Sequence, residues 1–359
     1  MIDGHGGNIF TTACELGCDP ADIYDMSSNV NPLGPPDALL DYLRNNLEVI
    51  SALPEVAATT ALTAFAKFHD LDPSHVVPGN GTTELIYFLP QVLQSHKVLI
   101  LAPTYADYAD SCRMSKVEHE FFMATEDCLF QPDLEALESR LEKFDTVFIC
   151  NPNNPTGVLI PVDELEPLCR SWPEKYFIID ESYLHFVDED EKKSMIGRGL
   201  KNVIVLNSMS KIFRVPGLRI GFLVADPGII TEFANCARPW SVNILAQQAV
   251  IYLMEHATET RDFMVETRAF IASEKSCFLK AFKDIPEISF FPSQTSFLLG
   301  RLASSHRASE VYEHLLKSRI LIRNCANFQG LTESFIRIAF KTSAVNTLLV
   351  EQLRSLLLS

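Results

Sequence analysis

Five short apolar runs, four of them followed at once by a polar cluster, constrain this chain more than any other feature. "KVLILAP" at 97–103 leads into Thr104 and Tyr105, "DTVFICN" at 145–151 into "PNNPTG", "YFIID" at 176–180 into "ESY", and "NVIVLNS" at 202–208 into "MSK". The fifth, "GFLVA" at 221–225, follows "RVPGLRI". Most of these runs alternate too little for a sheet with one wet face, so they predict strands covered on both sides. Helix-compatible segments such as "LEALESRLEKF" and "VDELEPLCRSW" separate several of them. Strand and helix in alternation predict an α/β domain on a largely parallel sheet with helices on both faces. Sheets of that kind bind ligands beyond the carboxyl ends of their strands, which is where the polar clusters fall.

A chain of 359 residues, 47% hydrophobic, can bury a large core and form about two domains. From Ile244 to Phe282 the sequence is helix-like almost throughout, and beyond it the strand-like "ISFF", "TSFLLGRL", "ILIRNC" and "SFIRIAF" flank the helix-like "ASEVYEHLLKS". The expected division is an N-terminal arm over 1–38 that belongs with a small domain, a large ligand-binding domain over 39–254, and a small α+β domain over 255–359. A net charge of −16 argues against a nucleic-acid partner, yet leaves room for a small anion where arginines cluster. "MIDGHGGNIF" lacks a basic stretch before an apolar run, and "AVIYLMEH" is cut short by Glu255 and His256, so a cytoplasmic protein with no membrane partner is expected. The nine cysteines form no CxxC pair and the nine histidines show no ligand spacing, which predicts no metal site.

Lys211 carries the sharpest chemical signal. A lone lysine at a strand end is ordinarily a surface cation, but burial and neighbouring cations can lower an amine's pKa until it condenses with an aldehyde. Ser208, Ser210 and Arg219 surround it with the hydroxyls and guanidinium that bind phosphate. "GNGTTE" at 79–84 adds a glycine turn before an apolar helix, whose free amides can cradle the same group. Asp180 could hold a proton on a pyridine nitrogen, Asn154 and Tyr183 could bond a phenolic oxygen, and Tyr105 offers a face for stacking.

"NPNNPTG", "DESY" and "SMSKIFRVPGLRIG", in this order and spacing, resemble the class I/II aminotransferase family of fold-type I pyridoxal-phosphate enzymes over essentially the whole chain. The resemblance implies pyridoxal 5′-phosphate as cofactor, Lys211 as the lysine that joins its aldehyde, Asp180 beside the ring nitrogen and Tyr105 on the ring face. It also implies Asn154 with Tyr183 on the ring oxygen, and Gly81, Thr82, Ser208, Ser210 and Arg219 around the phosphate. "HGGNI" with "SSNVNPLGPP" is most similar to the branch of the family that decarboxylates threonine phosphate in cobalamin biosynthesis, with histidinol-phosphate aminotransferases next to it. From that branch follow His5, Asn8 and Asn31 on a substrate phosphate, Arg337 on an α-carboxylate and Arg323 on the phosphate. Decarboxylation of a phospho-amino acid is the expected reaction, transamination of the histidinol-phosphate type the alternative, and a non-catalytic cofactor-binding protein a third reading. A homodimer is implied too, although "ALPE" puts Leu53 where relatives carry a tyrosine that reaches the neighbour's cofactor phosphate.

Overall fold

The computed structural model describes residues 6–358. After a two-residue strand β1 (Tyr24–Asp25), seven strands form the central sheet: β2 (Val76–Asn80), β3 (Lys97–Ala102), β4 (Glu118–Met123), β5 (Thr146–Cys150), β6 (Tyr176–Asp180), β7 (Val203–Ser208) and β8 (Ile220–Val224). Their spatial order is β2-β8-β7-β6-β5-β3-β4. All five apolar runs of the sequence are strands of this sheet. Along β5, Val147 and Ile149 join the core on one face while Phe148 and Cys150 join the core on the other. The same division separates Phe177 and Ile179 from Ile178, and Val203 and Val205 from Ile204 and Leu206. Burial on both faces is why these strands read as continuous apolar runs.

β3 through β7 run parallel, whereas β8 is antiparallel to both β7 and β2. Residues 209–219 are too few for a helical crossover, so β8 must return alongside β7. The sheet is therefore mixed at one side, and two strands join it that no apolar run announces. β2 carries Pro78 and Gly79, and β4 begins Glu-His-Glu with only Phe122 buried. Both are edge strands, where a missing donor or a solvated face costs little.

A second sheet, all antiparallel, has the order β12-β13-β10-β9, with β9 (Ile288–Phe290), β10 (Phe297–Leu302), β12 (Arg323–Asn324) and β13 (Phe335–Ala339). Between β10 and β12 the chain forms β11 (Ile320–Leu321), which pairs in parallel with β1 and so draws the N-terminal arm to the C-terminal part. The long helical region is two helices, Ile244–Glu255 and Ala257–Ala281, broken at His256. Among the described residues no helix is long and apolar enough to cross a membrane.

One consequence of strand direction governs the site. β2, β3, β5, β6 and β7 all end at the same edge of the central sheet, and β8 begins there. The segments after residues 80, 102, 150, 180 and 208, and the segment before 220, therefore converge.

Candidate active site

At this edge the helix Gly81–Val92 starts directly from β2, with its first amides facing the convergence point. Gly81 has φ +73°, and a Cβ there would lie 2.6 Å from Arg219 Nη2, so only glycine lets the guanidinium close over the helix start. From β7 the chain passes at once into the short helix Met209–Ile212, which carries Lys211. Ser208 and Ser210 are buried beside it, Ser210 Oγ donating to the carbonyl of Ile220 at 3.2 Å.

Asp180, at the end of β6, is 4% exposed. One carboxylate oxygen accepts from the Tyr108 hydroxyl at 2.7 Å, the other from the Ser182 amide at 2.9 Å. Burial raises its pKa, while those bonds and the charge of Lys211 pull the other way. Loss of solvent, reinforced by the nearby charges of Arg219 and Arg337, brings the Lys211 amine down to about 8. Tyr183 is buried and pushed up to about 12 chiefly by that burial, and its hydroxyl accepts from Asn29 Nδ2 at 3.3 Å.

All ten residues expected around the cofactor line one cavity, joined by Thr83, Tyr108, Cys150 and Ser182. The donor set fits pyridoxal phosphate at each of its reactive points. Hydroxyls, a guanidinium and a helix start line it, with a buried carboxylate that bonds no arginine or lysine among the described residues and an amine that also lines the neighbouring cavity.

A larger cavity of about 790 Å³ opens beside it, sharing Lys211, Tyr105, Asn154 and Tyr183 and walled by Arg323 and Arg337. These arginines are register partners on β12 and β13. Arg337, 4% exposed, donates from Nη1 to Asn154 Oδ1 and from Nη2 to the Ser27 carbonyl, while Nε has no partner. Its partners are thus neutral oxygens, and burial lowers its pKa. Arg323 donates to Asn327 at 2.6 Å and lies 5.2 Å from the Phe328 ring, with burial and Arg337 bringing it down to about 10.

The N-terminal candidates fare differently. Asn31 is fully buried and is turned away from the cavity: Nδ2 donates to the Ile212 carbonyl and to Thr267 Oγ1, both at 2.7 Å, and Oδ1 accepts from the Leu33 amide. Its expected contact with a substrate phosphate is therefore corrected to a structural clamp on the turn after Lys211. Asn8 precedes the helix Ile9–Leu16 and is exposed, with Gly6 and Ile9 rather than Asn8 at the cavity wall. His5 lies outside the described residues. Residues that sequence reasoning missed are Tyr108, Asn29, Arg214 and Lys341. The signal for Tyr108 was its spacing of three from Tyr105 at a helix start. For the two cations it was a charge three or four residues beyond Lys211 and Arg337 in otherwise apolar stretches.

A mixed sheet with a buried aspartate, a lysine and a phosphate cradle at one edge defines a fold-type I pyridoxal-phosphate enzyme, and pyridoxal phosphate is its cofactor. The chain belongs to the aminotransferase class I and II family, which it matches over residues 21–353. It is 31% identical over 352 residues to the adenosylcobalamin biosynthesis bifunctional protein CobDQ of Leptospira interrogans, covering 97% of this chain and 40% of that protein. It is 31% identical over 357 residues to the threonine-phosphate decarboxylase of Salmonella typhimurium, covering 98% and 96% of the two chains. Among solved structures, the histidinol-phosphate aminotransferase of Clostridium acetobutylicum superposes with a TM-score of 0.86 at 28% identity, covering 93% of this chain and 99% of that one.

Proposed function

We propose that this enzyme decarboxylates an O-phospho-L-amino acid, phosphothreonine or phosphoserine, to an amino-alcohol phosphate of the kind used in the cobamide nucleotide loop. The carrying observation is the pair Arg323 and Arg337, in register on adjacent strands and facing the cavity that Lys211 also lines. A phospho-amino acid presents two anionic groups to such a pair, whereas histidinol phosphate presents one. Relatives named for threonine-phosphate decarboxylation support the same reading.

When bound, pyridoxal phosphate supplies an electron sink conjugated to the substrate Cα. Asp180 would hold a proton on the ring nitrogen, and Asn154 with Tyr183 would bond the ring oxygen. Arg337 would grip the α-carboxylate and Arg323 the phosphate, so that the bond from Cα to the carboxyl carbon is the one aligned to break. Lys211, mostly protonated near neutral pH yet close to its pKa of about 8, would then give its proton to Cα and be left as the free amine. If the same clamp aligned Cα–H instead, Lys211 would remove that proton and transamination would follow. The structural kinship to a histidinol-phosphate aminotransferase favours keeping this second reading.

The same proposal includes the division at residues 38 and 254, a cytoplasmic setting and a homodimer. Leu47, Ile50, Leu53, Val56 and Trp240 are exposed, Leu53 to 75%, and the Trp240 amide bonds the Val56 carbonyl at 3.1 Å, exposed apolar side chains that support the homodimer reading. The deciding experiment incubates the cofactor-loaded protein with O-phospho-L-threonine or O-phospho-L-serine without a keto-acid acceptor and measures carbon dioxide per active site. Many turnovers support decarboxylation. No carbon dioxide, with conversion of the cofactor to its amine form by histidinol phosphate, replaces it with transamination.

A further inference from the structure

Arg214 and Lys341 also line the large cavity, and neither has a role in the reading above. Lys341 is 7% exposed, yet among the described residues its ammonium, with three protons to donate, makes one hydrogen bond, to the Ser28 carbonyl at 3.3 Å. Arg214 reaches the carbonyls of Asn31 and Pro32 from a single nitrogen at 3.4 and 3.3 Å. No carboxylate lies within ion-pair distance of either among the described residues. Asp25 acts on Lys341 from further off, but its Oδ1 is taken by the Ser27 and Ser28 amides and the Ser27 hydroxyl. Burial, with the charge of Arg214 close by, brings Lys341 down to about 8.

A buried ammonium that bonds no carboxylate among the described residues, with a half-buried guanidinium beside it, is costly unless a ligand supplies an anion. Arg214 carries a further cost, since its φ of +46° is a conformation that side chains with a Cβ seldom occupy. With Arg337 on Ser27, Lys341 on Ser28 and Arg214 on Asn31 and Pro32, three cations are strung along one backbone segment facing one cavity.

We infer that Arg214 and Lys341 form an additional anion seat in the substrate cavity, which holds the side-chain phosphate together with Arg323 and leaves Arg337 to the α-carboxylate. The inference rests on the phospho-amino acid reading for the identity of the substrate, while the seat itself rests on the geometry of the two cations. A phosphate dianion carries about twice the charge of a carboxylate, so added cations favour phosphorylated over carboxylated side chains.

The test is calorimetric binding to the cofactor-loaded protein of inorganic phosphate, L-threonine and O-phospho-L-threonine, for the wild type, Arg214→Gly and Lys341→Met. Glycine accepts the positive φ at 214, so that variant keeps the fold, which its melting temperature checks. Each substitution should weaken inorganic phosphate and O-phospho-L-threonine by about tenfold or more, the loss of a charge-assisted bond, and leave L-threonine unchanged. Unchanged phosphate and phosphothreonine affinities, equal weakening of all three ligands, or a wild type that binds neither phosphate nor phosphothreonine would each overturn the seat. Wild-type binding of phosphate that both variants lose, without binding of phosphothreonine, would support the seat and sink the phospho-amino acid reading instead.

Discussion

Asp180, Ser208, Ser210 and Lys211 occupy the ends of two adjacent strands within residues 180–211, whereas Arg337 reaches Asn154 and Ser27 across 183 and 310 residues of chain. The floor of the site is a by-product of the central sheet, because strand direction alone brings its residues to one edge. Its wall exists only when the antiparallel sheet and the N-terminal arm pack against that edge. Floor residues should therefore govern the chemical step, and wall residues the grip on substrate.

The largest expected effect is at the floor. Lys211→Ala should abolish the pH-sensitive absorbance of the cofactor-loaded protein and lower kcat by roughly 10²–10⁴-fold, the usual worth of a positioned acid or base. Persistence of the band would take the lysine out of the floor. At the wall, Arg337→Ala should cost about 2–5 kcal/mol in kcat/KM, expressed mainly as a higher KM, since truncation leaves the α-carboxylate of the bound substrate unpaired. A fall in kcat at unchanged KM would erase the division between grip and chemistry.

Smaller effects sharpen it. The Tyr108 hydroxyl holds the Asp180 carboxylate in its charged form, so Tyr108→Phe lets the already raised pKa of Asp180 rise further. The acid limb of the kcat profile should move to higher pH. An unmoved limb would mean that Asp180 does not set it. The smallest signal is in the cofactor-free protein. Between about pH 8 and the ordinary lysine value of 10.5, folded Lys211 binds fewer protons than unfolded Lys211, so stability rises with pH across that window. Lys211→Met should flatten this rise in the melting temperature, leaving the share due to Lys275 and Lys341, which burial also brings to about 8.

The same contrast explains what could be read in the sequence. β3, β5, β6, β7 and β8 are buried on both faces and announce themselves as apolar runs, and the polar residues after them are the floor. β2 and β4 are edges, β2 interrupted by Pro78 and Gly79 and β4 opening on Glu118, His119 and Glu120, so neither reads as an apolar run. Asn31 was legible as a notable residue but not by its role. Its amide bonds the Lys211 carbonyl and its side chain the next turn, contacts that depend on long-range packing. Tyr108, Arg214 and Lys341 escaped for the same reason, since each matters only through what is opposite it.

The strip from Ser27 to Asn31 does more than line a cavity. At one end its carbonyl meets Arg337, and at the other its Asn31 amide meets the Lys211 carbonyl at 3.0 Å. It works as a ruler, converting a number of residues into the spacing between the group that would grip the carboxylate and the amine that would reprotonate the carbon. Lengthening it by one residue would slide one end against the other by about 3.3 Å, the rise of an extended residue and more than a hydrogen bond tolerates. Such an insertion should leave cofactor absorbance intact and turnover lost, which places part of the enzyme's reaction control in the length of a segment that carries no catalytic group.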